Sequence, residues 1–103
     1  MVKVKWTNSA IEDLNDIGEF IAKDSIKYAE ITVNHLFEAV DILEKHPYSG
    51  IIVPEFDNDL IRQIIRGNYR IVYKVIDDYG IDILTAHNCA RLISNSKPFT
   101  KNE

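Results

Sequence analysis

The residues best suited to chemistry lie in the second half of the chain, where Arg62, Arg66, Arg70, Lys74 and Arg91 follow one another at short intervals. All four arginines fall in this stretch. A guanidinium is a planar fork that meets two oxygens of a phosphate or carboxylate at once, so such a group on one surface points to an anionic partner. These five residues form the candidate binding set. His87 closes the last strand-like run, and an imidazole with an ordinary pKa of about 6.5 can move a proton near neutrality if a phosphate sits beside it. His87 is therefore a candidate catalytic group if the chain performs phosphate chemistry. The plain alternatives are a solvated strand face with local ion pairs and a structural histidine at a strand end.

Other chemistries find little support. His35 and His46 have no second histidine or carboxylate at metal-ligand spacing, and Cys89 is the sole cysteine, so the sequence predicts no zinc site, no internal disulfide and no cofactor. No P-loop, dinucleotide fingerprint or serine-nucleophile motif occurs. Asp77, Asp78 and Asp82 surround a turn, where aspartate is expected for its backbone hydrogen bonds. Glu12, Asp13, Asp16 and Glu19 read as the wet face of a helix.

The elements that must position these groups follow from the periodicity. Val2, Val4 and Trp6 alternate with Lys3 and Lys5, the period of a half-buried strand. Thr7-Asn8-Ser9 then offers caps, with Ser9 and Glu12 spaced as a capping box, and Ile11, Leu14, Ile17 and Ile21 recur on one face of a helix over about 9–22. Lys23-Asp24-Ser25 breaks the pattern. A second helix carries Ala29, Val33, Leu36, Val40 and Leu43 and stops near Lys45, ahead of His46-Pro47. Residues 51–59 read as an irregular connection. Three strands follow, Leu60 to Arg66, Tyr69 to Ile76 and Ile81 to His87, joined by turns short enough to force antiparallel neighbours.

The sequence thus predicts an α+β fold: an N-terminal strand, then a two-helix antiparallel hairpin packed on one face of a small, mainly antiparallel sheet, in the order β-α-α-β-β-β. One domain over 1–103 is expected, with a frayed tail from about 95. In the middle strand Arg70 and Lys74 share a side, and in the strand before it Arg62, Ile64 and Arg66 point together. Cross-strand neighbours are therefore expected to bring several guanidinium groups to one anion on the sheet face that the helices leave uncovered.

The formal net charge is −4, yet the halves differ in sign, with acids dominating before Leu60 and bases after it. Neither a secretory leader nor a membrane span is evident, and a reducing, cytoplasmic setting with no membrane partner is expected.

Taken together, the residues resemble the RelE/ParE toxins over nearly the whole chain. The matching pieces are Trp6-Thr7 leading to Ala10 and Asp13-Leu14 through Ile17, then Ile21, Leu43, the Pro47-x-x-Gly50 turn and Pro54-Glu55. They continue with Arg66-Gly67-Asn68-Tyr69-Arg70-Ile71-Val72-Tyr73 and end with His87 and Arg91. The Gly-x-Tyr-Arg-Ile-Val-Tyr run is the most specific of them. The resemblance implies the toxin of a type II toxin–antitoxin pair, with a cognate antitoxin as partner whose disordered segment folds onto the toxin. RelE-like members cut messenger RNA on the ribosome without a metal, whereas ParE-like members poison DNA gyrase.

Carried over by position, Arg70 matches the RelE arginine of the middle strand and Arg62 stands near an expected catalytic lysine. The resemblance therefore implies Arg62, Arg70 and His87 as the catalytic set if the chain cleaves RNA. Ile64 replaces a second basic residue, Cys89 or Ala90 a further arginine, and no tyrosine follows in the tail. Each missing donor would remove about 3 kcal/mol of transition-state stabilisation. The ParE-like branch is therefore favoured, with a RelE-like nuclease or a non-toxic binding module as the alternatives.

Overall fold

The change from strand to helix period occurs at Thr7, which ties the two elements together. A computed structural model describes residues 1–89. Strand β1 (Lys3–Trp6) leads directly into helix α1 (Asn8–Ala22). The cap is Thr7 rather than the expected Ser9–Glu12 box: its Oγ1 accepts the Ala10 N–H at 3.2 Å and donates to the Ile83 carbonyl at 2.7 Å. A residue already extended and already bonded to the sheet starts the helix before Ser9 can. The apolar stripe shifts accordingly. Ala10 and Leu14 are buried, Ile17 packs behind them, and Ile11, expected in the stripe, is 44% exposed.

Ser25 caps helix α2 (Ile26–Ala39) by accepting the Tyr28 N–H at 3.0 Å. The helix then tightens into a 3-10 turn over Val40–Glu44. In that geometry positions i and i+3 superimpose, which keeps Val40 and Leu43 aimed at the core together with Ala29 and Leu36.

The sheet has five strands in the order β1-β5-β4-β3-β2. These are β2 (Ile51–Ile52), β3 (Ile61–Arg66), β4 (Tyr69–Val75) and β5 (Gly80–Asn88) beside β1. β1 runs parallel to β5 and every other pair is antiparallel. The expected α+β order holds, with the two-residue β2 added inside the stretch that the sequence reads as irregular. Gly67 turns the β3–β4 hairpin at φ 60°, a value that glycine adopts without strain.

One sheet face receives the helices, and Leu14, Leu36, Val40 and Leu43 meet Ile64, Ile71, Tyr73, Val75, Ile81 and Ile83 there. The register between β4 and β5 slips by one residue, so that Tyr73 faces Ile83 but Val72 faces Thr85, with Leu84 as the extra residue. Ala86 consequently joins the core with Ile81 and Ile83. The reverse face is not wholly open, contrary to expectation: Val53 and Val72 are buried there with Phe56, Ile61 and Leu84 packed around them.

Tyr73 joins the two halves of the chain. Its side chain is fully buried, and its hydroxyl accepts the Gly50 N–H at 3.0 Å and donates to the Pro47 carbonyl at 2.8 Å. Burial raises its pKa above the usual 10.0, so the phenol stays a neutral donor. A Cβ on Gly50 would lie 2.6 Å from the Gln63 carbonyl oxygen and 2.7 Å from the Tyr73 hydroxyl. Tyr73→Phe should therefore cost about 1–3 kcal/mol by stranding a buried donor and acceptor. Gly50→Ala should cost more, both being read as a lower urea midpoint with an unchanged slope.

Candidate functional site

The β3–β4 register decides where the basic residues point. Arg62 lies opposite Tyr73, Ile64 opposite Ile71 and Arg66 opposite Tyr69, so Arg62 and Arg66 share the face that the helices cover. Arg70 and Lys74 occupy the reverse face, opposite Ile65 and Ile61. The expected convergence of Arg62, Arg66 and Arg70 on one anion does not occur. Residues two apart share a face within each strand, as expected, but the hairpin pairs the arginine side of β3 with the tyrosine side of β4.

Arg62 acts on its own chain. Its Nε donates to the Asp59 carbonyl at 3.0 Å, and one terminal nitrogen donates to the carbonyls of Gly50 at 3.0 Å and Tyr48 at 3.3 Å. The guanidinium also lies 5.1 Å from the centroid of the Tyr48 ring. It thus fastens the turn after α2 and the turn before β3 to the sheet edge. Arg66 is exposed at the end of the hairpin, where it donates to the carbonyl of Ile65. Arg91 lies outside the described residues, as does the tail expected to fray from about 95.

Arg70 and His87 do come together, facing each other across β4 and β5. The Arg70 Nε donates to His87 Nε2 at 3.0 Å, and a terminal nitrogen donates to Gln63 Oε1 at 2.8 Å. Glu55 closes the group with a carboxylate oxygen 3.7 Å from the other terminal nitrogen. An imidazole nitrogen that accepts from a guanidinium must be unprotonated. Burial, and then the charge of Arg70, hold the His87 pKa below its ordinary 6.5, with Asp13 and Glu55 pulling the other way. The lone pair needed for general-base work is already engaged, and Arg62 lies through the sheet on the other side. The arrangement fixes the Arg70 cation in place, with His87 Nε2 engaged by it.

Two other groups depart from the sequence reading. Asp13, read there as part of the wet face of α1, accepts the Thr85 hydroxyl at 2.6 Å and the Ala86 N–H at 3.1 Å, pinning the helix to β5. Lys3 and Lys5 join Lys74 on the reverse sheet face, because β1 enters beside β5 and places Lys5 opposite Asp82, which is itself opposite Lys74. The alternation of lysine with Val4 and Trp6 already grouped the two lysines. The strand order that carries them towards Lys74 is a long-range pairing that no local signal records.

Two outcomes follow. Arg62→Ala should lower stability by about 1–2 kcal/mol through its lost carbonyl bonds, whereas Arg66→Ala should stay within about 0.5 kcal/mol of the parent in the same thermal melts. Because the folded pKa of His87 is depressed, its contribution is complete above pH 6.5 and is lost as pH falls through the lower folded value. Melting temperature against pH should therefore drop more steeply below pH 6.5 for the parent than for His87→Gln; parallel curves would show that His87 is not held neutral.

Residues 4–86 match the family model described as the ParE toxin of the type II toxin–antitoxin system, parDE. Among curated proteins none matches significantly. Among solved structures, the chain is similar to one from the chromosomal ParDE toxin–antitoxin system of P. aeruginosa, with a TM-score of 0.69 and 23% identity over 85% of this chain and 96% of that one. It is also similar to a chain of the RelBE2 toxin–antitoxin complex of Mycobacterium tuberculosis, with a TM-score of 0.56 and 21% identity over 84% of this chain and 96% of that one. At such identities these two likenesses speak for the fold, two helices on a mixed five-stranded sheet, and the family rests on the sequence match, which runs from β1 to the end of the core in β5. The chain belongs to the ParE toxin family of type II toxin–antitoxin systems.

Proposed function

We propose that this chain arrests growth by binding and poisoning DNA gyrase, without itself cutting nucleic acid, and that a cognate antitoxin neutralises it in the cytoplasm as a toxin–antitoxin hetero-oligomer. The observation that carries the reading is the engagement of the only two candidate catalytic groups that meet: Arg70 Nε donates to His87 Nε2 at 3.0 Å. Arg62 bonds to backbone carbonyls on the opposite sheet face, and Ile64, which stands where a nuclease would be expected to carry a second base, is buried in the core. A nuclease acting on a phosphate would need donors aimed at one developing charge. Membership of the ParE family and the likeness to the P. aeruginosa ParDE system support the same reading. Arg70 is held in an ion pair with Glu55 and Arg62 by backbone carbonyls, which leaves exposed Arg66 and half-exposed Lys74 as the binding candidates among the described residues.

A ribosome-dependent nuclease is the competing reading, since Arg70, His87 and Lys74 share one face. A paired assay separates the two. Purified chain added to gyrase should abolish supercoiling in proportion to its concentration, and messenger RNA on programmed ribosomes should stay intact under excess chain. Cut messenger with unaffected gyrase would reverse the assignment, and induction of soluble chain without any effect on growth would leave a non-toxic binding module.

A further inference from the structure

Strand β1 pairs with β5 only as far as Ile83, and beyond that point α1 lies along the β5 edge in its place. Asp13 marks the handover, accepting the Thr85 hydroxyl and the Ala86 N–H. Past it a cleft of about 190 Å³ opens, with Asp13, Asp16, Ile17 and Phe20 on the helix side and Ala86 and Asn88 on the strand side. That is below the roughly 300 Å³ at which small-molecule pockets begin, and it suits one or two side chains. The walls combine hydrocarbon with negative charge. Phe20 is 55% exposed, and among the described residues neither Asp13 nor Asp16 makes an ion pair. Lys23 stands at the Phe20 end, its ammonium 5.5 Å from that ring, and His87, as the acceptor from Arg70, brings no charge of its own.

The chain leaves the described fold at this cleft. Asn88 lines it, and Cys89 follows with its N–H on the Asn68 carbonyl. The next residues are Ala90-Arg91-Leu92-Ile93, a cation followed by two aliphatic side chains, and the rest of the chain adds Lys97 and Lys101 against the single acid Glu103. At about 3.5 Å per extended residue those four span up to about 14 Å from Cys89. Asp13 to Phe20 rises only about 10 Å along α1. Arg91 is therefore within reach of both carboxylates, and Leu92 and Ile93 are within reach of Ile17 and Phe20. A segment joined covalently to the cleft meets it at an effective concentration of about millimolar or above, so weak contacts suffice. A separate partner has no such advantage at a cleft this small.

We infer that the chain's own segment Ala90–Ile93 docks in the cleft between α1 and the end of β5, with Arg91 against Asp13 and Asp16 and the aliphatic side chains of Leu92 and Ile93 over Ile17 and Phe20. The segment thereby closes the layer between helix and sheet at the end that β1 does not reach. This goes beyond the toxin reading and holds or fails whatever the chain's target.

Amide hydrogen exchange in the full chain tests it, since a docked segment slows local opening of the helix it covers. Protection at Asp16–Phe20 should fall at least about fivefold in Arg91→Asp and in Leu92→Ser/Ile93→Ser. Asp16→Arg should lower it as well. The exchanged pair Asp16→Arg/Arg91→Asp should recover most of the loss, a non-additivity that a merely structural role for either residue would not produce. Glu19 faces the cleft between the two helices instead, so Glu19→Arg/Arg91→Asp should show no recovery.

Unchanged protection at Asp16–Phe20 in both Arg91→Asp and the double serine variant overturns the inference, as does equal recovery with Glu19→Arg. A loss spread evenly over β3 and β4 as well as α1 would report general destabilisation and overturn it too. Unchanged protection in the chain alone, with Asp16→Arg weakening its binding to the product of the neighbouring gene, would give the cleft to that protein instead. Gyrase inhibition by the parent chain stands apart from all of these outcomes.

Discussion

The position of the Tyr73 hydroxyl constrains the rest of the sheet edge. It is buried in the middle strand and satisfies groups from a turn more than twenty residues earlier, the Gly50 N–H and the Pro47 carbonyl. An unpaired polar group at such depth is costly, so the turn after α2 must return to this one point. Once it is there, Gly50 leads straight into β2, which pairs with β3, and the following Val53 drops onto Val72. Glu55, two residues further on, then reaches Arg70. The contents of the reverse face thus depend on a contact made on the helix face.

The sequence made local periodicity legible and left pairing obscure. Both helices, the strand-turn-strand run from Ile61 and the first strand could be read from spacing, because each records its own burial pattern within a few residues. Ser9 lost the cap to Thr7 because Thr7 had a second partner, Ile83, far along the chain. Asp13 looked solvated for the same reason, since its partners Thr85 and Ala86 are distant in sequence. The grouping of the arginines failed one level higher. Which residues share a strand face is a local matter, but which faces coincide is set by the register, and that placed Arg62 with Tyr73 and Arg70 with His87. The resemblance to the toxin family singles out the Pro47-x-x-Gly50 turn, which periodicity does not, and the Tyr73 hydroxyl supplies its physical reason.

The basic side chains divide by what holds them. Arg62 is a clasp between turns, Arg70 is enclosed by Gln63, His87 and Glu55, and the lysines of β1 and β4 stand without a described ionic partner. Multiply bonded guanidinium groups have lost most of their freedom and contribute to a fixed shape, whereas an unpaired ammonium on a flexible stem remains available to a partner at little cost. For this chain the number of bonds a cation already makes separates architecture from recognition better than its identity does.

The slipped register at Leu84 inverts the parity of everything after it. Up to Ile83 the odd-numbered residues of β5 turn inward; beyond the bulge Ala86 does, and His87 is rotated outward to meet Arg70. A strand of unbroken alternation would have sent the imidazole into the hydrocarbon layer under α1 and the alanine to the surface. One supernumerary leucine therefore acts as a phase shift, and the histidine–arginine pairing exists because the strand counts one residue too many.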